Sequence, residues 1–185
     1  MSRLLVGLKL AQSHYLSQLH KYPVATKAVT SGFLYLISDS LVQGIELSRD
    51  KDKKYDFKRS MRMAVFGFAV TGPLFHYWFK YLDKHFPKKS YRHAFIKLTI
   101  DQVVCSPVFN FLFFSGMGIL EGKSKDDIVE KLKKDWLTTY VSDCVVWPFI
   151  NFVNFAYISS IHRVTFMNVC NIGWGAFLAK MNSSH

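Results

Sequence analysis

Charge is segregated along this chain. Glu46–Arg62, Lys80–Arg92 and Glu121–Asp135 are crowded with acids and bases. Between them, Ala28–Ile45 holds only Asp39, Met63–Phe79 holds no formal charge, Phe95–Leu120 holds Lys97 and Asp101, and Trp136–Ile161 holds Asp143. A helix of about 20 residues crosses a bilayer, so the pattern predicts spans near 24–45, 61–82, 94–120 and 136–161. A fifth apolar stretch, 164–179, is only marginally long enough and reads as a short or tilted helix. Pro73, Pro107 and Pro148 fall near the middles of their windows. An interior proline removes a ladder donor from a barrel strand, whereas a helix in lipid absorbs it as a kink. The expected fold is all-α: a polytopic transmembrane bundle of four to five membrane-embedded helices with interfacial amphipathic helices, in a single integral-membrane domain, residues 1–185.

Asp39, Asp101 and Asp143 are the informative residues. A carboxylate near a bilayer centre costs about 3 kcal/mol, so it faces protein or water and marks a pathway or a lock. Helical spacing places Gly32, Tyr35, Asp39 and Gln43 on one stripe, Arg62, Ala69, Gly72 and His76 on another, and Asp143, Trp147, Asn151 and Asn154 on a third. Turned inward, these faces either close as interhelical hydrogen bonds or hydrate a passage. Asp39, Gln43, His76, Asp101, Gln102, Asp143, Asn151, Asn154 and Arg163 are the candidate pore or polar-interior residues. Gly72, Pro73, Pro107 and Pro148 are candidate kinks that open room between helices. Lys97 and Asp101, four residues apart, are placed to neutralise each other, and Arg59, Arg62 and Arg163 to reach Asp39 and Asp143. An acid left unpaired and wet would favour cations at a constriction.

The charged connectors have their own reading. Ser124 and Asp127 have capping-box spacing, and Ile128, Leu132 and Trp136 recur every fourth residue. That predicts a short amphipathic helix at the interface with Trp136 as its anchor. Before Asp39 the chain has no acid, while Arg3, Lys9, Lys21 and Lys27 alternate with Leu4, Leu8, Tyr15 and Leu19. This fits an interfacial helix and also an organelle-targeting segment.

Composition alone is indecisive, since 50% hydrophobic residues and a mean hydropathy of +0.09 suit a soluble domain too. The net charge of +11 flanks apolar spans, which points to anionic headgroups of the lipid bilayer as partner. No direct nucleic-acid binding is expected, because the bases do not line one face with aromatics. Cys105, Cys144 and Cys170 all fall in apolar stretches with no C-x-x-C pair and read as free, buried thiols. The seven histidines form no metal-ligand motif, and no nucleophile elbow, P-loop or dinucleotide fingerprint occurs. No catalytic residue, metal or cofactor is expected, and the protein is not read as an enzyme. His76 is conceivable as a pH sensor, with a structural hydrogen bond the simpler role.

Taken in order, the residues resemble a known family. Tyr22-Pro23, Thr26, Gly32, Asp39 and Gln43, then Asp56, Arg59, Gly67, Gly72-Pro73, His76 and Trp78, then Asp101-Gln102 and Pro107, then Trp147-Pro148, Asn154-Phe155, Arg163 and Trp174 are similar to the Mpv-seventeen and peroxisomal-membrane-protein family. The resemblance covers nearly the whole chain. It implies a small polytopic protein of an organelle membrane, either the mitochondrial inner membrane or the peroxisomal membrane; the acid-poor amino terminus favours the former. It also implies channel-like passage of small solutes or ions, alone or as a homo-oligomer, and a link to mitochondrial nucleotide supply and mitochondrial-DNA maintenance. The competing expectation is a non-conducting membrane scaffold or stability factor. Asn151 stands where the family commonly has Gln, and Ser159 where it commonly has Pro. The latter predicts a straighter end to the fourth span.

Overall fold

A computed structural model describes residues 3–50 and 52–181. All its regular elements are helices. They are α1 (Arg3–Lys21), α2 (Pro23–Arg49), α3 (Phe57–Phe66), α4 (Gly72–His85), α5 (Tyr91–Ile100), α6 (Ser106–Leu120), α7 (Lys125–Tyr157) and α8 (Arg163–Met181). A π-helical turn, Gly67–Thr71, joins α3 to α4, and another, Asp101–Cys105, joins α5 to α6. The side chains of Arg3, Leu4 and Leu8, and the terminal residues 182–185, lie outside the described residues.

Each helix start has a local cause. Pro23 opens α2 with its fixed φ. Asp56 accepts from Arg59 N, and Ser90 from His93 N, as N-caps of α3 and α5. Ser124 and Asp127 close the expected capping box. The Ser124 hydroxyl and amide hold the Asp127 carboxyl below the usual carboxylate range. Gly122, at φ +72°, makes the turn between α6 and α7. The separate amphipathic helix expected before the fourth span is not separate: α7 runs unbroken for 33 residues. Trp136 donates to the Pro107 carbonyl at 3.0 Å, so its indole ties α7 to α6.

The two π-turns answer two of the interior prolines. Gly72 N–H bonds the Gly67 carbonyl directly before Pro73, and Ser106 N–H bonds the Asp101 carbonyl directly before Pro107. With Ser106 drawn to Asp101 and Pro107 lacking an N–H, the Gln102 carbonyl has no helical donor. Tyr140 Oη–H supplies one at 3.1 Å. The widened turn also shifts the register by one residue. Ala69 is therefore exposed instead of sharing the inward stripe with Gly72, and Phe66, Gly67, Thr71 and Gly72 are buried. Pro148 lies inside α7 with no such turn.

The fourth helix ends earlier than expected. It stops at Tyr157, with Ile158 extended, and Arg163 reaches back to the carbonyls of Asn154, Phe155 and Ile158. A cation at a helix C-terminus satisfies its orphan carbonyls. The chain thus turns at 158–162, where the Ser159 reading predicted a straight continuation.

Helix α2 is the hub and packs against α8, α3, α4 and the first π-turn, while α6 and α5 pack on α7. An apolar cluster of Phe79, Leu82, Ala94, Leu98, Phe155, Val164 and Met167 joins α4, α5, α7 and α8. Elsewhere the pattern is inverted: among the described residues buried polar side chains outnumber buried apolar ones, and the exposed face is studded with Phe33, Phe68, Phe95, Phe111, Val145 and Phe149. Among the described residues, one continuous helical segment, Tyr91–Leu120, is long and apolar enough to cross a membrane by length and composition. The charge pattern of the sequence predicts four or five such spans. The others fall short in mean hydropathy, because uncharged polar, aromatic and small residues such as Ser38, Gln43, His76, Pro73, Asn151 and Asn154 dilute apolar runs that hold few formal charges.

Candidate functional site

The polar faces of α2, α7 and α8 converge with the second π-turn on a cavity of about 280 Å³. Of the candidate residues, Asp39, Asp101, Gln102, Asp143 and Asn151 line it. Asp39 is 3% exposed, Asp101 4% and Asp143 8%. Tyr35, Phe75, Phe109, Phe113, Trp147 and Trp174 supply aromatic walls.

Each acid is held by a different donor set. Asp39 Oδ1 receives Arg59 Nε at 2.8 Å, and its Oδ2 receives Gln43 Nε2 at 2.7 Å and Ser60 Oγ at 2.6 Å. Asp101 receives Trp78 Nε1 at 2.7 Å and Asn151 Nδ2 at 2.8 Å. Asp143 receives Asn110 Nδ2 at 2.8 Å and Trp147 Nε1 at 3.0 Å. Asp39 therefore has a cation, whereas Asp101 and Asp143 are held by neutral amide and indole donors. The free Oδ1 of Asn151 and the whole carboxamide of Gln102 have no hydrogen-bond partner. Buried polar atoms without partners are costly, so they mark where water or a solute would bind.

Four candidates, Gln43, His76, Asn154 and Arg163, are placed elsewhere. Gln43 braces α2 to the start of α3, exchanging bonds with the Asp56 backbone as well as Asp39. His76 Nδ1 lies 3.3 Å from Lys27 Nζ. Arg163 does not reach Asp39 or Asp143; it binds Asp83. Asn154 is fully buried, and its carboxamide has no partner. The expected Lys97–Asp101 pair does not form, because Lys97 turns to Asp83 and leaves Asp101 to Trp78 and Asn151. Arg62 pairs with Asp56 at 3.7 Å. Cys105 is buried as expected, but Cys144 is exposed on α7 and Cys170 is partly exposed.

Sequence reasoning missed Ser38, Asn110, Asn168 and Asn171, all of which line the cavity. Asn168 Nδ2 also donates to Ser31 Oγ at 2.7 Å and pins α8 to α2. The signal was present: Asn168 and Asn171 lie one turn apart in an apolar helix, the spacing that flagged Asn151 and Asn154. Among the described residues, no group of three or more His, Cys, Asp or Glu is arranged to hold a metal ion.

No solved structure matches the chain. It is 34% identical to Protein sym-1 of Neurospora crassa, over 92% of this chain and 98% of the relative. It is 34% identical to Peroxisomal membrane protein 2 of Bos taurus, over 92% and 89% respectively. Protein SYM1 of Saccharomyces cerevisiae is 28% identical over 91% and 88%. The Mpv17 / PMP22 family profile matches residues 118–179, which span most of α7 and α8. With a third of its residues identical to these relatives along nearly its full length, the chain belongs to the Mpv17 / PMP22 family.

Proposed function

We propose that this protein is a polytopic helical bundle of an organelle membrane whose central cavity gives weakly selective passage to small metabolites or ions. One observation carries the proposal: the interior is polar and the exterior apolar. Of the most apolar stretch within Tyr91–Leu120, only 17% is buried inside the protein. Val145, Phe149 and Phe111 are 66%, 76% and 52% exposed. Water would penalise such a surface and hydrocarbon would not. The cavity supplies what a passage needs, namely acids, amides and unpartnered polar atoms inside an apolar coat.

The charged ends of the helices support an assignment of four to five membrane-embedded helices, including those that fail on composition, because Lys and Arg at span ends carry their charge to the interface. The acid-poor, basic amino-terminal segment supports the mitochondrial inner membrane. The bovine relative, Peroxisomal membrane protein 2, supports the peroxisomal membrane as the alternative. Within the mitochondrial reading, the proposed passage contributes to nucleotide supply and so to mitochondrial-DNA maintenance.

A non-conducting scaffold is the second reading, and the closed hydrogen bonds of Asp39, Asp101 and Asp143 favour it, since polar groups are common glue between helices. Purified protein in planar bilayers separates the two. Passage predicts a conductance that falls in Asp101→Ala/Asp143→Ala; a conductance no greater than that of the double variant supports the scaffold.

A further inference from the structure

The central cavity shares a wall with a second one of about 230 Å³. Asp39, Arg59, Met63 and Phe113 line both. Beyond that wall the second cavity runs along the end of α6 to Glu121 and to Lys131 in the second turn of α7. Of the four shared residues, Met63 and Phe113 are apolar, so the Arg59–Asp39 ion pair is the polar element between the two spaces.

The two partners are held very differently. The Asp39 side chain is 2% exposed, and its Oδ2 is fixed by Gln43 and Ser60 independently of Arg59. The Arg59 side chain is 36% exposed. Its Nε meets Asp39, while Nη1 and Nη2 reach Glu46 at 3.1–3.3 Å. The guanidinium can therefore leave Asp39 without becoming an unpaired cation, because Glu46 keeps it. The aspartate stays where it is. Such a pair has two arrangements, separated by one charge-assisted hydrogen bond.

We propose that Arg59 is a movable barrier between the cavities. With Nε on Asp39 it closes the wall; held by Glu46 alone it joins the two spaces into one path toward the α6–α7 end. The proposal rests on the passage reading above and names the place where that passage is shut.

Full-length protein with Cys105, Cys144 and Cys170 replaced by alanine, and Asn171→Cys as a single thiol in the central cavity, provides the test. In liposomes, a membrane-impermeant methanethiosulfonate reagent supplied to both faces reads access to that thiol, and planar bilayers read current. Arg59→Gln should raise both by about tenfold, the effect of losing one charge-assisted hydrogen bond. Arg59→Lys, which keeps the charge and loses the fork, should fall between. Glu46→Gln should do the opposite, leaving Arg59 to Asp39 alone and slowing thiol modification below the parent rate.

Unchanged thiol access in an Arg59→Gln protein that melts like its parent overturns the barrier, as does a rise in current without a rise in access. Should Arg59→Gln fail to fold, the Glu46→Gln result decides: slower modification sustains the barrier, and an equal or faster rate overturns it. Faster thiol modification in Arg59→Gln with no current from either protein keeps the barrier and removes the passage reading instead.

Discussion

Arg163 Nη1 and Lys97 Nζ donate to the same oxygen of Asp83, joining the start of α8 and the middle of α5 to the end of α4. Ser160 Oγ–H donates to the other oxygen. The Lys97 and Arg163 side chains are 6% and 7% exposed, so one carboxylate compensates two buried cations beside the apolar cluster.

Removing that carboxylate leaves both cations facing each other. Asp83→Ala should destabilise the bundle by about 3 kcal/mol, the range for breaking a buried pair from one side. Denaturant titration in detergent micelles checks this. Lys97→Met should cost clearly less, because Arg163 still neutralises Asp83.

Gly72 is a packing position where nothing else fits. A Cβ there would lie 2.5 Å from Ala28 Cα and 2.8 Å from Ala28 N, so the obstruction is backbone. Gly72→Ala should cost about 1–3 kcal/mol by overpacking. Gly44, also helical, meets nothing within 4 Å. Gly44→Ala should be neutral or stabilise by up to about 1 kcal/mol, which makes the pair an internal control for melting experiments.

The indole donors on the cavity acids can be removed while a smaller aromatic ring is kept in their place. Trp78→Phe takes one hydrogen bond from Asp101, and Trp147→Phe takes one from Asp143. Each should cost about 1–3 kcal/mol. If the cavity is a passage, each should also alter the cation-to-anion permeability ratio, measured as a reversal potential across a salt gradient.

The capping box of α7 predicts a pH effect. Hydrogen bonds from the Ser124 side chain and backbone hold Asp127 below its ordinary value. A depressed carboxyl contributes stability that is present above its unfolded pKa of about 3.9 and is lost as pH falls through its folded value. Amide exchange in the first turn of α7 should accelerate, relative to the intrinsic rate, below about pH 4. Ser124→Ala should show fast exchange already at neutral pH and little further change on acidification.

Much of the site was legible because a lone acid in an apolar window has few tolerable environments. That argument singled out Asp39, Asp101 and Asp143, which line one cavity. The inward stripe through Ala69 failed because the π-turn before Pro73 adds a residue to the register, which a fixed helical period does not anticipate. The partners of Lys97 and Arg163 were misread for another reason. Lys97 has an acid four residues away, yet its partner lies 14 residues away, and that of Arg163 lies 80 away. Local spacing cannot rank a near partner against one that tertiary packing delivers. Asn168 and Asn171 were overlooked because the last apolar stretch was judged by its length and not by its polar face.

If the bundle is a passage, its apolar exterior meets lipid while its cavity meets water. Spin labels at Phe111, Phe149 and Val145 on the outside, and at Asn171 in the cavity, can be compared in liposomes for collision with oxygen and with a water-soluble nickel chelate. Oxygen-dominated relaxation is expected at the three outer positions, with access for the polar reagent at Asn171. Nickel-dominated relaxation at Phe111, Phe149 and Val145 would contradict it.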